Sequence, residues 1–200
     1  MRRAKFLFVL FLACTAAACS DELLAGGQTA RVQGQATDAP AGTSSSAAAT
    51  PAGPSFALAP AGAAIGAGTI HLVASMQLIT ATGAAVPITR GATAASVPIA
   101  ASQVVTLGSG KVEVGAYPRV RVTFTSVEAD LTDGIGGSGA VVRVDLPQPL
   151  VVTAPVELNL AADDTAAVRV NLNSAAWLGA AVAGVVSSAT FQAAVQVTTG

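Results

Sequence analysis

The two cysteines of this 200-residue chain, Cys14 and Cys19, are the side chains with the clearest covalent chemistry. A cysteine that directly follows a short basic and apolar leader can receive acyl chains once the leader is cleaved. The small residues Ala16–Ala18 suit cleavage immediately before Cys19, whereas cleavage before Cys14 would leave a very short apolar segment. We therefore predict that residues 1–18 are a lipoprotein signal peptide and that Cys19 is a lipidation site.

The leader itself has the layout of a bacterial export signal. The basic segment Met1–Lys5 precedes the apolar run Phe6–Ala13, which is too short to span a bilayer, since spanning needs about 20 residues. A buried N-terminal helix is the alternative structural interpretation. Ala16 stands where lipoprotein signals usually carry Leu, so cleavage by ordinary signal peptidase and secretion of a soluble protein is the alternative outcome. Ser20, in place of an Asp, favours the outer over the inner membrane of the cell envelope.

The single histidine, His71, is the first candidate for catalysis. Its position in an alternating segment places it on the polar face of a strand, beside Ser75. A Ser-His-Asp site of the hydrolase type would need a G-x-S-x-G turn, which the sequence lacks. One histidine and one cysteine in the predicted mature chain also exclude a His-based metal cluster. We interpret His71 as a surface residue and predict no catalytic residue, metal or cofactor.

Two loops match patterns of binding sites only superficially. Gly134–Gly139 fits G-x-G-x-x-G, but a dinucleotide site needs a helix next, and the strand-like Val141–Leu146 follows. We predict a hairpin loop there. Asp163-Asp164 and the pair Asp130 and Asp133 lack the spacing of a calcium loop, so the sequence favours Asx-type turn capping.

Tyr117 and Trp177 are the aromatic side chains that could stack on a sugar. Both lie among apolar neighbours, which favours burial in the core. The hydroxyl of Tyr117 could then tie a strand corner. Exposure of either ring on a concave face would instead indicate carbohydrate binding.

Composition limits the class of protein. Apolar residues make up 52% of the chain and charged residues 10%, with no second apolar run of 18 residues after the leader. Removal of residues 1–18 leaves seven of the ten Lys and Arg and all eleven Asp and Glu. This mild acidity argues against a nucleic-acid partner, which would need a basic surface. A lone mature cysteine also excludes an intramolecular disulfide.

The rest of the chain divides into a short tether and one domain. We assign residues 19–27 to the tether and 28–200 to the domain, with a low-complexity insertion or linker at 41–64. Residues 28–40 could be a strand of that domain or part of the tether.

Period-two alternation predicts strands from about residue 68 onward. Proline marks Val86–Ile88 and Ser96–Ile99 as short edge pieces. A parity change predicts a β-bulge near Thr125-Ser126. The apolar alternations are Ile70–Leu78, Val112–Val114, Val120–Phe124, Val127–Leu131, Val142–Leu146, Val156–Leu160, Val168–Leu172 and Phe191–Val197. Gly108–Gly110 is predicted as a turn, and residues 174–189 could be strand or short helix. The predicted fold is all-β, an antiparallel β-sandwich.

Three segments, in this order, resemble a bacterial lipoprotein family, the domain-of-unknown-function family 4382. They are Thr37–Pro40 after Ala30–Gly34, Gly115–Val122 and Val168–Ser174. The resemblance implies a transthyretin-like sandwich, close to the immunoglobulin type, at the cell envelope, and it implies no catalytic residue.

The sequence thus predicts a non-enzymatic binding or structural module, anchored to a lipid bilayer through acylated Cys19, with a protein or glycan as its unidentified partner. A carbohydrate-binding or adhesion domain is the alternative. A hydrolase would require His71 beside a serine and a buried carboxylate such as Asp130 or Asp145.

Overall fold

The computed structural model describes residues 27–39, 68–131, 140–179 and 185–200. The predicted leader, Cys19, the linker 41–64 and the loop Gly134–Gly139 lie outside these residues. The described strands are β1 (Thr29–Thr37), β2 (Thr69–Ile79), β3 (Ala85–Pro87), β4 (Thr93–Pro98), β5 (Val105–Glu113), β6 (Gly115–Leu131), β7 (Ala140–Asp145), β8 (Leu150–Leu160), β9 (Thr165–Asn171), β10 (Val185–Ser187) and β11 (Gln196–Thr199). A 3₁₀ helix (Ser174–Ala176) and helix α1 (Ser188–Ala194) complete the described elements.

Two sheets enclose one apolar core. The smaller has the order β11-β9-β1-β5, and the larger follows the path β10-β7-β6-β2-β3, with β4 also paired to β2 and β8 to β6. The buried apolar side chains of both sheets form a single cluster. The predicted all-β sandwich is therefore confirmed. Most strand pairs are antiparallel, but β1 with β9 and β7 with β10 are parallel.

The first strand lies inside the smaller sheet. β1 pairs with β5 on one side and with β9 on the other, and Ala30, Val32 and Ala36 are buried. Residues Thr29–Thr37 are thus a strand of the domain rather than tether. β1 runs antiparallel to β5 and parallel to β9.

The larger sheet is built around β2 and the 17-residue β6. Their register shifts where Val73 pairs with Ser126 and Ala74 pairs with Phe124, which leaves Thr125 as the extra residue. This confirms the predicted bulge, and it explains how the buried positions change parity between Phe124 and Val127. The proline-containing strands β3 and β4 lie on the outer side of β2, as predicted.

The predicted turn at Gly108–Gly110 is wrong, because β5 runs through it without interruption. These glycines allow a close crossing instead. A Cβ on Gly110 would lie 2.6 Å from the backbone oxygen of Ile88, and one on Gly108 would lie 2.8 Å from the Thr89 side chain. The chain that leaves β3 therefore passes directly against β5, where no larger residue fits.

The predicted strand Phe191–Val197 is wrong in its first half. Ser187 caps α1, with its hydroxyl accepting a hydrogen bond from the Thr190 N–H at 3.2 Å. Phe191 and Ala194, three positions apart, are the buried residues of this helix. No helix among the described residues is long and apolar enough to cross a membrane.

Candidate functional site

Cys19, the predicted lipidation site, lies outside the described residues. The structure does describe the domain that begins shortly after it in the chain. β1 begins at Thr29, ten residues after Cys19, and its first outward-facing cation is Arg31. The start of β1 is thus the end of the sandwich that is nearest to Cys19 in the chain.

A buried polar cluster lies at the other end of β1, around Asp38. The Asp38 carboxylate accepts three hydrogen bonds, from the Ser174 N–H at 2.7 Å, the Ser174 hydroxyl at 2.5 Å and the Ala100 N–H at 2.7 Å. Asp38 is 1% exposed and Ser174 2%. Both carboxylate oxygens of Asp38 thus have donors from the protein, and the burial of Asp38 and Ser174 closes the cluster to an external ligand, so its role is to join three chain segments.

Asn171 extends this cluster on the neighbouring strand. Its side chain bonds both backbone groups of Ala39, accepting from the N–H at 3.0 Å and donating to the carbonyl at 3.3 Å, and it also accepts from the Asn173 N–H. Two of the segments that carry the family resemblance, at Thr37–Ala39 and at Val168–Ser174, are therefore bonded to each other. The Asn173 side-chain oxygen is buried and has no hydrogen-bond partner within the described residues.

The backbone around Asp38 is unusual. Ala100, Ser102 and Asn173 have φ values of 52°, 50° and 46°, in the left-handed region that favours glycine. Ala100 donates to the Asp38 carboxylate, Ser102 donates to its backbone carbonyl, and Asn173 precedes Ser174. The hydrogen bonds of Asp38 therefore hold Ala100 and Ser102 in a conformation that these two residue types rarely adopt, whereas Asn adopts it readily.

Both candidate sugar-stacking rings are core residues, as predicted. Trp177 is 0% exposed, donates its indole N–H to the Leu172 carbonyl at 3.0 Å and packs edge-on against Phe191. Tyr117 is 3% exposed and donates its hydroxyl to the Glu113 carbonyl at 2.7 Å, which confirms the predicted strand tie. Burial, and to a smaller degree the charge of Glu113, raises the pKa of Tyr117. An aromatic sugar platform built on these rings is excluded.

His71 is exposed on the outer face of the larger sheet, where polar residues form a row across four strands. Its Nδ1 lies 2.9 Å from the Ser96 hydroxyl on β4, and Glu128 on β6 is its cross-strand neighbour. Glu128 in turn accepts a hydrogen bond from Arg143 Nε on β7, also at 2.9 Å. Neither Asp130 nor Asp145 is the partner of His71.

This row lacks the other parts of an acyl-transfer site. The carboxylate of Glu128 is half-exposed and paired with Arg143, and β2 is bonded to a strand on each side. Backbone N–H groups in a two-sided ladder are not available to stabilise an oxyanion on the sheet face. The row can offer hydrogen bonds to a surface ligand, but its geometry does not activate a nucleophile.

The acidic turn at Asp163-Asp164 follows the predicted pattern. Asp164 caps its turn by accepting the Ala161 N–H at 2.7 Å, and Asp163 has a left-handed φ of 62°. The prediction is wrong for Asp130, which lies inside β6, paired with Thr69 of β2 and Val141 of β7, and not in a turn. Asp133 lies outside the described residues. Across the described ranges, no group of three or more His, Cys, Asp and Glu side chains is placed to hold a metal ion.

A basic groove, which the sequence alone did not reveal, lies beside the start of β1. It has a volume of about 370 Å³, and its lining includes the three cations Arg31, Arg90 and Lys111, together with Ser109 of β5. None of its described lining residues is acidic. A smaller hollow shares Arg31 and Lys111 and extends to Asp163 and Asp164 at the next turn.

The close crossing at β5 is what assembles this groove. Gly108 and Gly110 let the segment after β3 pass against β5, and that segment carries Arg90. Arg31 and Lys111 are direct cross-strand partners on β1 and β5. Two cations that are 80 residues apart in the chain, Arg31 and Lys111, are thus brought to one groove. The sequence feature that could have indicated the crossing is the pair of glycines at alternate positions, Gly108 and Gly110.

Comparison of the chain with protein-family models, with curated proteins and with solved structures found no match in any of the three. The resemblance to family 4382 therefore stays a prediction.

Proposed function

We propose that this chain is a lipid-anchored binding module of the bacterial cell envelope, in which acylated Cys19 holds a β-sandwich at the membrane and the surfaces of that sandwich contact a partner. The observation that carries this proposal is the position of β1. A strand in the interior of the smaller sheet begins only ten residues after Cys19. Ten extended residues span at most about 35 Å, so an anchor at Cys19 would keep the sandwich close to the bilayer.

The distribution of polar side chains supports binding rather than catalysis. The most highly connected cluster, around Asp38, is buried and satisfied by the protein itself. The polar groups that face solvent, around His71 and along the basic groove, lie on open sheet surfaces. Open polar surfaces on a rigid sandwich are suited to recognition, and we propose no catalytic role for any of these residues.

Intact mass spectrometry of the protein extracted from bacterial membranes tests the anchor. We expect a diacylated or triacylated chain that begins at Cys19. The Cys19→Ser variant should lose the acyl mass. The Cys14→Ser variant is the matched control, because it removes the other thiol and should keep the acyl mass.

An unmodified N-terminal Cys19 in the membrane fraction, or the same acyl mass in Cys19→Ser, would refute the proposed anchor. Where the anchor is found, chemical cross-linking in whole envelopes should recover a partner on the outward sheet surfaces. Fractionation of inner and outer membranes would then test the expected outer-membrane location.

A further inference from the structure

Arg31 and Lys111 face each other in an arrangement that is unfavourable for two cations. The Arg31 N–H donates to the Asp164 carbonyl, on the β9 side of β1, at 2.7 Å. Its pairing with Lys111 on the β5 side is therefore of the non-hydrogen-bonded type, in which opposing Cα atoms are about 4.5 Å apart and side chains are closest. Like charges directly opposite each other destabilise a sheet.

No carboxylate of the described residues forms an ion pair with either side chain. The nearest acidic groups have other positions or roles: Asp164 caps its own turn, Asp163 lies at that turn, and Glu113 is at the end of β5. An anion bound between Arg31 and Lys111 would convert their repulsion into attraction to a shared ligand.

Further donors surround the two cations. Arg90, in the segment that follows β3, and Ser109 of β5 line the same groove. Gly110 pairs with Val32 of β1, so the backbone N–H groups of its neighbours Ser109 and Lys111 are directed to the outer edge of the sheet. The two cations Arg31 and Lys111, with these neutral donors beside them, suit a doubly charged oxyanion, and the forked guanidinium of arginine matches phosphate geometry.

The position of the groove indicates the source of that anion. Arg31 is only twelve residues after Cys19, at the end of β1 that the predicted anchor would hold close to the bilayer. We infer that the basic groove binds phosphoryl groups of lipid headgroups in the anchoring membrane and thereby orients the sandwich on its surface. This inference rests on the proposed function, because the anchor is what brings the groove to the headgroups.

Vesicle binding by a chain without the acyl group isolates the contribution of the groove. The protein starts at residue 19, carries Cys19→Ser and retains every described residue. Its binding is measured by flotation with vesicles of phosphatidylcholine alone and with vesicles that also contain phosphatidic acid. We expect binding only to the phosphatidic acid vesicles, and we expect it to fall as salt increases.

The Arg31→Gln/Lys111→Gln double variant should weaken this binding about 30-fold, since each cation near an anionic membrane contributes about 1 kcal/mol, or roughly fivefold. The Arg119→Gln/Arg121→Gln double variant is the matched control. It removes the same charge from β6 in the opposite sheet, and stacked sheets are about 10 Å apart, so screening should limit its effect to about threefold or less.

Titration with inorganic phosphate identifies the source of the ligand. Vesicle binding that inorganic phosphate lowers more than chloride does, at matched ionic strength, supports a headgroup phosphoryl site in the groove, whereas binding that phosphate leaves unchanged would overturn that site. Saturable phosphate binding that the Arg31/Lys111 variant loses, without any vesicle binding, would overturn the membrane source and leave a site for soluble phosphate. Equal losses of vesicle binding in the two double variants, or equal binding of the protein to both kinds of vesicle, would refute the groove as the binding site.

These outcomes are separate from the test of the anchor. The vesicle experiment uses a chain that cannot be acylated, whereas mass spectrometry reports only acylation. Acylated Cys19 with an inactive groove would leave the proposed function intact and refute this inference.

Discussion

The two ends of β1 carry polar clusters that are built in opposite ways. At the C-terminal end, Asp38 is buried and its carboxylate accepts three hydrogen bonds from the protein. At the N-terminal end, Arg31 is exposed beside Lys111, and neither side chain has an ionic partner among the described residues. The first cluster contains its own partners, whereas the second presents unneutralised charge to the outside.

This difference separates a structural role from a binding role. A buried charge without partners would be very costly, so the donors around Asp38 are a requirement of the fold. Opposed surface cations are tolerated at a small cost and contribute nothing to the fold. A polar cluster is therefore available for an external ligand when its groups lack hydrogen-bond or ion-pair partners within the protein, and the number of polar residues in it does not decide this.

The largest expected effect is at the buried end of β1. Asp38→Ala should lower the free energy of unfolding by about 3–5 kcal/mol, because it leaves buried donors without their acceptor. It also releases the left-handed conformation at Ala100 that one of those bonds holds. Urea denaturation followed by the fluorescence of Trp177, the single tryptophan, measures the change.

Ser174→Ala is the graded control for this prediction. It removes one of the three donors and keeps the carboxylate, so the expected loss is about 1–2 kcal/mol. A loss below about 1 kcal/mol in Asp38→Ala would show that the buried cluster does not hold the fold, and the contrast between the two ends of β1 would fail.

The second prediction concerns the crossing that links the core to the groove. Gly110→Ala places a Cβ 2.6 Å from the Ile88 backbone oxygen, so the segment that carries Arg90 has to move. We expect a loss of about 2 kcal/mol in the free energy of unfolding. Gly27→Ala is the matched control, because nothing lies within 4 Å of its Cβ position. Equal effects of the two substitutions would contradict the proposed close crossing.

Local alternation was sufficient to predict most of the strands. The buried faces of β2 and β9, the edge positions of β3 and β4, and the bulge at Thr125 all follow from the period-two pattern and from proline. These features depend on residues that are neighbours in the chain, so they can be predicted from a single sequence.

Features that depend on distant segments were not predicted. Gly108–Gly110 has the composition of a turn, and its role in a crossing depends on Ile88 and Thr89, about 20 residues away. Asp38 meets Ser174 across 136 residues, and Arg31 meets Lys111 only because β1 pairs with β5. The first half of the predicted strand Phe191–Val197 belongs to α1, because the cap at Ser187 and the packing of Phe191 outweighed the apolar alternation of the sequence.

A smaller effect is expected at Tyr117, which ties the two strands at the far end of β5. Tyr117→Phe removes the hydrogen bond to the Glu113 carbonyl and should cost about 1 kcal/mol at neutral pH. The raised pKa of Tyr117 means that the folded state favours the neutral phenol. The contribution of the Tyr117 hydroxyl to the free energy of unfolding is therefore fully present below the ordinary tyrosine pKa of about 10, and it is lost as pH rises through the higher pKa of the folded state.

Urea denaturation at neutral and at alkaline pH measures this contribution. The unfolding free energies of the original protein and of Tyr117→Phe should converge as the phenol ionises. A difference that is constant across the alkaline range would indicate that the lost bond is independent of the hydroxyl proton.

The smallest expected effect tests the exposed end of β1 and has the opposite sign. Arg31→Gln should raise the free energy of unfolding by about 0.5 kcal/mol, because it removes the repulsion from Lys111. Lys111→Gln should give a similar gain, and the double variant should gain no more than either single variant, since one removal already ends the repulsion. The gain should disappear at about 1 M salt, where the screening length is about 3 Å.

A coupling energy of zero in this double-mutant cycle would show that the cations do not repel, and the groove would then lose its main distinction from any other polar surface. A double variant that gains less than the sum of the two single variants, together with weaker vesicle binding, would show that the same two residues reduce stability and contribute to recognition, which is the opposite of what Asp38 does at the other end of the strand.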